Sequence, residues 1–356
     1  MKNLVLLIIC AVFSFASLAQ TEEDKATAKS KAREAIKLMD EGMYDESIAL
    51  LKEGEALDPT SYLYPYEIAL AHVFKKEYKK ALKILEKTKT YEGANSQIYQ
   101  LIGNCYSYLE QPEKAIKEYE AGIELFPDAG NLHLEKGNIY LIQEDYNEAL
   151  LNYERGINAE PSFASNYYWA ARIMMSSSDK LSGVIYGEIF MNLERTTSRT
   201  QEMSELLLDT YRSSVTLGDN TTSISFCDLV IDAGDLSSDG ELELPFCAVF
   251  EKSFALSVLG YSEVDLASLV AMRRKFVENF FSEDAEKYPN VLFNYHKEMY
   301  DAGVLDAYNY YLFQIGAQEE FDEWQSAHEE EFNQLVAWYT SRENLLVVTD
   351  ENKYLR

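Results

Sequence analysis

The feature that most constrains the fold is an interval of 34 residues at which residues of the same kind return. Gly137 follows Gly103 at this distance, and Tyr140 follows Tyr106. The same register relates a series of small residues, namely Ser47, Ala81, Ala115 and Ala149. A fixed period of about 20 to 50 residues is the mark of a repeat architecture. We therefore expect similar structural units stacked one after another along the chain.

Each interval carries the pattern of two helices that cross closely. After Ala129, a first helix over about 131–142 contains Gly137, and a second over about 146–157 contains Ala149. Small residues at both places allow the two helix backbones to approach each other. Pro161 ends the second helix because proline lacks a backbone N–H. One such hairpin cannot bury its apolar face alone, so several must stack.

This period and these residue types resemble the tetratricopeptide repeat family. The resemblance covers about Ala28 to Arg195 in five repeats, at about 28–61, 62–95, 96–129, 130–163 and 164–195. It implies a mostly all-α fold in which an α-solenoid of about five helical hairpins occupies residues 20–195. We expect residues 196–356 to form a helical C-terminal domain with a small β element.

The register is lost beyond about Thr196, so the second half is interpreted from local patterns. The β-branched segment 221–231 predicts a strand or hairpin, and segment 344–349 predicts a short strand that could pair with it. Helices are predicted over 201–217, 244–259 and 321–340, with a further helix capped by Ser262. The apolar segment 181–193 predicts a helix that the following chain covers. Segments 167–171, 187–194 and 305–311 resemble exported bacterial tetratricopeptide proteins.

The N-terminus has the pattern of a cleaved secretory signal. One lysine precedes an uninterrupted apolar run from Leu4 to Phe13, and Ser17, Leu18 and Ala19 come before Gln20. This predicts a signal peptide over residues 1–19, cleaved after Ala19, and export to the periplasm or the extracellular space. A lipoprotein anchor at Cys10 is the alternative, although a bulky isoleucine precedes that cysteine. No other segment is apolar over the length of a membrane span, so we expect no membrane-spanning helix after cleavage.

The charge and the cysteines narrow the classes of partner. The net charge is −28, and it becomes −29 when Lys2 leaves with the signal. Such a chain is poorly suited to nucleic acid or to an anionic membrane. Cys227 and Cys247 either pair as a disulfide or stay free, and Cys105 is expected to be a small buried residue. The isolated histidines and the cysteine spacing match no zinc site, so neither a metal nor a cofactor is expected.

The resemblance implies a binding surface on the inner curve, which the first helix of each repeat lines. By register the predicted partner-binding residues are Tyr66, Leu70, Phe74, Gln100, Asn104, Tyr108, Leu134, Asn138, Leu141, Tyr168, Arg172 and Met175. Amide groups mixed with aromatic faces suit an extended peptide of a protein partner. Ordinary packing of the tyrosines is the alternative, and exposed tyrosines would also suit the rings of a glycan.

Cochaperones of this family hold a C-terminal carboxylate with cationic residues on their first helices. In this sequence Asn104 and Asn138 fill the asparagine place of that clamp. The neighbouring clamp places hold Gln100, Glu135, Ser165 and Trp169. The cationic part of the clamp is therefore missing, and an acidic tail bound in that mode is not expected.

Three charged segments allow a functional and an ordinary interpretation. Seven lysines between Lys75 and Lys89 form either a solvated helix face or a docking surface for an anionic partner. Asp235 to Gly240 begins like a calcium loop, but Phe246 stands where that loop needs a glutamate, so a plain turn is favoured. Asp232, Asp235 and Asp239 could serve a carboxylate-dependent hydrolase, although they sit among glycines and have the pattern of turn residues.

These features together predict a protein-interaction scaffold of the bacterial cell envelope rather than an enzyme. It would bind a protein or an extended peptide in the groove of the repeats. The alternatives are a glycan- or peptide-binding accessory of an envelope assembly and a carboxylate-dependent hydrolase. The sequence leaves open the ligand, the oligomeric state and the role of the C-terminal domain.

Overall fold

The computed structural model describes residues 21–218, 221–228 and 244–356. Within these ranges the chain forms seventeen α-helices and one two-stranded sheet, which confirms the mostly all-α fold. The predicted signal segment 1–19 and the turn residues 232–240 lie outside the described residues. None of the helices described is long and apolar enough to cross a membrane.

The chain divides into two compact units, Met1–Pro127 and Asp128–Arg356, which are described separately. The first unit contains three helical hairpins. They are α1 (Glu22–Asp40) with α2 (Tyr44–Leu57), α3 (Leu63–Phe74) with α4 (Tyr78–Thr88), and α5 (Ser96–Tyr108) with α6 (Pro112–Leu125). The first repeat was placed at about 28–61, but α1 begins at Glu22. Its earlier start is fixed by Thr21, whose side chain forms a capping box with Asp24.

The second unit begins with two more hairpins. These are α7 (Gly130–Ile142) with α8 (Tyr146–Ala159), and α9 (Ala164–Met175) with α10 (Lys180–Leu193). Every residue from Leu181 to Asn192 is buried, which confirms that α10 is covered on all sides. The helix α11 (Ser198–Ser214) comes next and packs against α10.

The register of 34 also appears in the backbone. Each of the first four hairpins turns through one residue with positive φ, namely Gly42, Lys76, Glu110 and Glu144. The N–H group of the residue that follows donates to a carbonyl five positions earlier, as Glu77 does to His72 and Gln111 does to Tyr106. This is the Schellman ending of a helix, which usually takes glycine at the left-handed position. Three of the four turns keep this conformation without glycine.

The predicted β element is present, but its pairing was predicted wrongly. Strand β1 (Val215–Gly218) pairs antiparallel with β2 (Thr221–Ile224), so the last residues of the predicted helix 201–217 are a strand instead. Segment 344–349 forms no strand: it leaves a short 3-10 turn and continues as irregular chain. Its alternating pattern arises because Leu346 and Val348 are buried while Leu345 and Val347 face solvent.

Six helices complete the second unit. They are α12 (Phe246–Ser257), α13 (Leu266–Glu283), α14 (Val291–Asp301), α15 (Leu305–Leu312), α16 (Gln318–Ala327) and α17 (Glu329–Thr340). The helix predicted to start at Ser262 is capped by Asp265 instead, which accepts a hydrogen bond from the Ser268 N–H at 2.7 Å. The predicted helix 321–340 breaks at His328, where φ and ψ are −127° and 40°.

The two units differ in their cores. The first unit has separate clusters, one around Ala28, Ala32 and Leu51, and another around Ala81 and Leu85. The second unit has one continuous cluster that runs from hairpins four and five through the C-terminal helices to Val348. The boundary at residue 195 between a solenoid and a C-terminal domain stays a prediction.

Candidate functional site

The structure places the twelve predicted partner-binding residues in three classes of exposure. Phe74 and Tyr108 are exposed, with 51% and 56% of their surface accessible. Three are buried in the core of the second unit, namely Leu134, Tyr168 and Met175. The other seven are half-buried, namely Tyr66, Leu70, Gln100, Asn104, Asn138, Leu141 and Arg172. The nine accessible residues stay candidates for partner contact.

A contact among a glycine, a tyrosine and an asparagine occurs in two hairpins. It explains why the side chains of Asn104 and Asn138, two of the predicted partner-binding residues, are less available to a partner. A Cβ atom on Gly103 would lie 2.1 Å from the Tyr119 ring, and one on Gly137 would lie 2.5 Å from the Tyr153 ring. The Tyr119 hydroxyl donates to Asn104 Oδ1 at 2.6 Å. These contacts confirm the close helix crossing predicted from the small residues.

The same geometry recurs in the second unit. The Tyr153 hydroxyl donates to Asn138 Oδ1 at 3.0 Å, and Asn138 Nδ2 donates to Glu135 at 3.2 Å. Burial raises the pKa of Tyr153 beyond its usual range, so the hydroxyl keeps its proton. Both asparagines therefore serve first to hold the tyrosine of their own hairpin.

Aromatic pairs mark the turn ends of the hairpins in the first unit. Phe74 stacks on Tyr44 with ring centroids 5.8 Å apart, and Tyr108 stacks on Tyr78 at 5.1 Å. Each pair joins the end of one first helix to the start of a second helix. Since each pair leaves more than half of one ring exposed, both offer apolar contact area at the surface.

The second unit contains a cleft between hairpins four and five, which we call the arginine cleft. Its volume is about 590 Å³, within the usual size range of ligand sites. Leu141, Tyr146, Trp169, Arg172 and Ile173 form much of its lining. Two of these, Leu141 and Arg172, were predicted from the register, whereas the other three were missed.

Several contacts fix Arg172 at this cleft. Its guanidinium lies 4.9 Å from the centre of the Trp169 ring and 5.4 Å from that of Tyr168. Its Nη1 donates to the Tyr168 hydroxyl at 3.2 Å, and its Nε lies 3.4 Å from a carboxylate oxygen of Glu202 on α11. Trp169 in turn stacks on Tyr153 at 6.4 Å. An arginine held over aromatic faces in this way is pre-organised to contact a ligand.

Tyr168 is a support for this arrangement rather than a contact residue. Only 4% of its surface is accessible, and its hydroxyl donates to Glu202 at 2.7 Å. Burial and that hydrogen bond raise the pKa of Tyr168, so it stays neutral. On the same helix, Ser165 accepts a hydrogen bond from Arg199 of α11 at 3.1 Å. Helix α11 therefore occupies the place of a further first helix.

The repeats of this chain match a known protein family. The sequence model of the tetratricopeptide repeat family matches residues 96–128 and 131–163. Two tetratricopeptide repeats therefore lie within residues 96–163. No curated protein is similar enough to the sequence to count as a match.

Solved tetratricopeptide structures resemble the fold at low sequence identity. PilF of Pseudomonas aeruginosa is 13% identical, with a TM-score of 0.44 over 54% of this chain and 86% of its own. A thermophilic protein of Thermus thermophilus is 15% identical, with a TM-score of 0.42 over 51% of this chain and 99% of its own. YrrB, described as having an unusual peptide-binding site, is 20% identical, with a TM-score of 0.33 over 49% of this chain and 89% of its own.

The second unit also contains a buried ion cluster that the sequence did not reveal. It consists of Glu188 on α10, Arg273 on α13 and His296 on α14, each at most 4% exposed. Arg273 Nη2 donates to both carboxylate oxygens of Glu188, at 2.7 and 2.9 Å. His296 Nε2 lies 2.6 Å from Glu188 Oε1, and because a carboxylate only accepts, Nε2 is the donor.

The charge of Glu188 is stabilised by the other members of the cluster. Burial alone would raise the pKa of Glu188, but Arg273 and His296 outweigh it and lower the pKa to about 2. Burial lowers the pKa of His296, which is therefore neutral at pH 7. Arg273 also donates to Asn309 at 2.7 Å and to the Tyr211 hydroxyl. The cavity beside it is only about 10 Å³, which is too small for a substrate, so the cluster is structural.

The disulfide and the buried thiol were both among the interpretations that the sequence allowed. Cys227 and Cys247 form a disulfide with Cα atoms 6.5 Å apart. Their sulfurs lie within 4.8 Å of a Glu251 carboxylate oxygen, but the bonded sulfurs are not thiolate ligands. Cys105 is fully buried, and burial raises the pKa of its thiol to about 12. The acidic residues considered for calcium binding or hydrolysis lie outside the described residues.

Proposed function

We propose that this tetratricopeptide protein is an exported interaction scaffold of the bacterial cell envelope that holds an extended peptide of a partner protein in the arginine cleft. Membership of a repeat family that builds binding surfaces supports the role of scaffold. The observation that carries the proposal is the cleft of about 590 Å³ in which Arg172 lies over Trp169.

The cleft favours a peptide with a bulky apolar or aromatic side chain. Leu141, Ile173 and the Trp169 ring give it an apolar wall, and Tyr146 is exposed at its edge. Arg172 shares its charge with Glu202, so it is better suited to donate hydrogen bonds to backbone carbonyls than to pair with a strong acid. Apolar anchoring together with backbone hydrogen bonds is the usual chemistry of peptide recognition.

Two observations support an exported location. The N-terminal nineteen residues have the composition of a secretory signal. Cys227 and Cys247 are placed for a disulfide, which persists in oxidising compartments outside the cytosol. Fractionation of cells that express the full chain tests this part, because we expect a shortened protein in the envelope or the medium. Full-length protein kept in the cytosol would contradict it.

The binding role is tested by recovery of partners from envelope extract with the full chain as bait. The partner segment is then synthesised, and its affinity is measured by calorimetry. We expect Trp169→Ala to weaken binding at least tenfold, which corresponds to about 1.4 kcal/mol for one central aromatic contact. Arg172→Gln should weaken it less, because the charge of Arg172 is already shared with Glu202.

Arg155→Gln is the matched control for Arg172→Gln, since Arg155 is exposed on α8 and does not line the cleft. Unchanged affinity in Trp169→Ala would remove the arginine cleft from consideration. Displacement of the peptide by oligosaccharides, with no effect of peptide sequence, would favour a glycan ligand instead.

A further inference from the structure

A second cleft lies in the first unit, away from the predicted groove residues, and we call it the lysine cleft. Four lysines, Lys52 on α2 with Lys80, Lys83 and Lys87 on α4, line it together with an aliphatic floor. Its volume is about 440 Å³, within the range of ligand sites. The residues of α4 recur at intervals of three and four, so the three lysines share one face of that helix.

Glu55 also lines this cleft and offsets part of its positive charge, but the four lysines remain in excess. Within the part of the chain that the structure describes, Lys52, Lys83 and Lys87 form no ion pair. Other lysines of the same basic run do form them, since Lys75 pairs with Asp45 and Lys89 pairs with Glu118 at 2.6 Å. Lysines that only solubilise a helix face gain nothing by converging with a lysine of another helix, because like charges repel each other.

Lys80 also lines the cleft and is held by an ion pair. Its Nζ lies 2.8 Å from Glu77, which also contacts the His72 ring at 2.7 Å. Hydrogen bonds from Lys80 and then from His72 lower the pKa of Glu77 to about 2, so this carboxylate stays charged. The remaining three lysines, with their flexible stems, are the ones left for a ligand.

The floor of the cleft is apolar, and this decides between classes of anion. Ile68 is buried and Ile84 is half-buried beneath the lysines. A chain of phosphates would find no apolar counterpart to these side chains. Lysine meets a carboxylate or a phosphate alike as a point charge, so the lysines set the sign of the ligand and the apolar side chains set its class. The cleft is therefore complementary to carboxylates carried next to apolar side chains.

We propose that the lysine cleft binds an acidic peptide segment of a partner protein, with an apolar side chain on Ile68 and Ile84 and carboxylates beside Lys52, Lys83 and Lys87. The chain as a whole has a net charge of −28, so it repels an acidic partner except at a local concentration of lysines. The repulsion elsewhere and the attraction here together confine such a partner to one site. This surface is independent of the arginine cleft and of the function proposed for it.

Fluorescein-labelled octapeptides and the full chain test the proposal by fluorescence anisotropy. The first peptide alternates Glu with Leu, the second alternates Glu with Ser, and the third alternates Gln with Leu. We expect the Glu–Leu peptide to bind best, the Glu–Ser peptide to bind several-fold more weakly, and the Gln–Leu peptide not to bind. Raising the salt from about 50 to about 300 mM should weaken the binding of the Glu–Leu peptide.

The double variant Lys83→Gln with Lys87→Gln should weaken binding of the Glu–Leu peptide about tenfold. Its control is Lys79→Gln with Lys117→Gln, which removes the same charge from exposed second-helix lysines outside the cleft. An equal loss in both double variants would mean that only net charge matters and would overturn the site. No binding of any peptide, equal binding of inorganic polyphosphate, or a salt-sensitive dimer that blocks the peptide would overturn the assignment to an acidic peptide.

Discussion

The first unit packs its helices around small residues in separate clusters, whereas the second packs large aromatic rings and a buried ion cluster into one core. In the first unit each hairpin contacts mainly its neighbours, so its stability is close to a sum of local terms. In the second unit, hairpins four and five share their core with the C-terminal helices. The same repeat can therefore belong to a modular array or to a cooperative domain, depending on what covers it.

All three tryptophans, Trp169, Trp324 and Trp338, lie in the second unit. Tryptophan emission therefore reports the unfolding of that unit, while far-ultraviolet circular dichroism reports both. This difference makes the comparison between the units measurable in the full chain.

Removal of the charge of Glu188 should have the largest effect. Glu188→Gln leaves Arg273 buried without its counter-charge, so we expect the free energy of unfolding of the second unit to fall by about 3–5 kcal/mol. Urea unfolding followed by tryptophan emission measures it. Glu330→Gln, at an exposed position on α17, is the control and should change little. A loss below about 1 kcal/mol in Glu188→Gln would show that the cluster contributes little to the core.

Reduction of the disulfide should come next. Cys227 and Cys247 are 20 residues apart in the sequence, and closing a loop of that length stabilises a domain by about 3 kcal/mol. We expect dithiothreitol to lower the urea midpoint seen by tryptophan emission. The part of the dichroism signal that belongs to the first unit should not shift. Cys105→Ala serves as the control for the buried thiol, and an identical midpoint with and without reductant would argue against the bond.

Glycine substitutions sharpen the comparison because the same contact occurs in both units. Gly103→Ala and Gly137→Ala each push a Cβ into a tyrosine ring, so each should destabilise its own unit by about 1–3 kcal/mol. Gly137→Ala should lower the midpoint seen by tryptophan emission. Gly103→Ala should lower only the dichroism midpoint. If both variants shifted the emission midpoint equally, the two units would unfold together.

Acid should weaken the second unit gradually, through protonation of two histidines, rather than in a single step. Burial lowers the pKa of His296, and burial with nearby Lys136 and Arg155 lowers the pKa of His133 to about 4. The unfolded chain then binds more protons below about pH 6.5, so the stability contributed by neutral histidine is complete above that pH. It is lost as the pH falls toward the folded pKa values.

For each histidine, the free energy of unfolding should fall by about 1.4 kcal/mol per pH unit between the unfolded and the folded pKa. Urea midpoints from tryptophan emission at about pH 7.5, 6 and 5 measure it, and His296→Gln should reduce the slope. Below the usual glutamate pKa of 4.5, Glu188 adds a further loss in the same direction. A midpoint that stays independent of pH across this range would contradict the assignment of buried neutral histidines.

Local and periodic features were predictable from the sequence, and contacts across long separations were not. The register of 34 predicted the hairpins and the close approach at Gly103 and Gly137, because each contact lies within one repeat. Segment 344–349 was misread as a strand, since an extended chain on a core shows the same alternation as a strand with one buried face.

The binding surface was predicted only in part for the same reason. Leu141 and Arg172 line the arginine cleft as expected, but Tyr168 is buried because Glu202 and Arg199 of α11 cover it. Glu188 and Arg273 are separated by 85 residues, and no local pattern links them. The lysine run was visible in the sequence, yet only the structure shows that Lys52 of α2 lines the same cleft as three of its members.

Helix α11 has a consequence for how such a chain can lengthen in evolution. Its Arg199 and Glu202 engage Ser165 and Tyr168, so the outward face of the fifth hairpin is already sealed by a non-identical partner. A duplicated hairpin inserted after residue 195 would find its packing surface on hairpin five already occupied by α11. Growth by gene duplication is therefore open on the N-terminal side of hairpin five and closed beyond it.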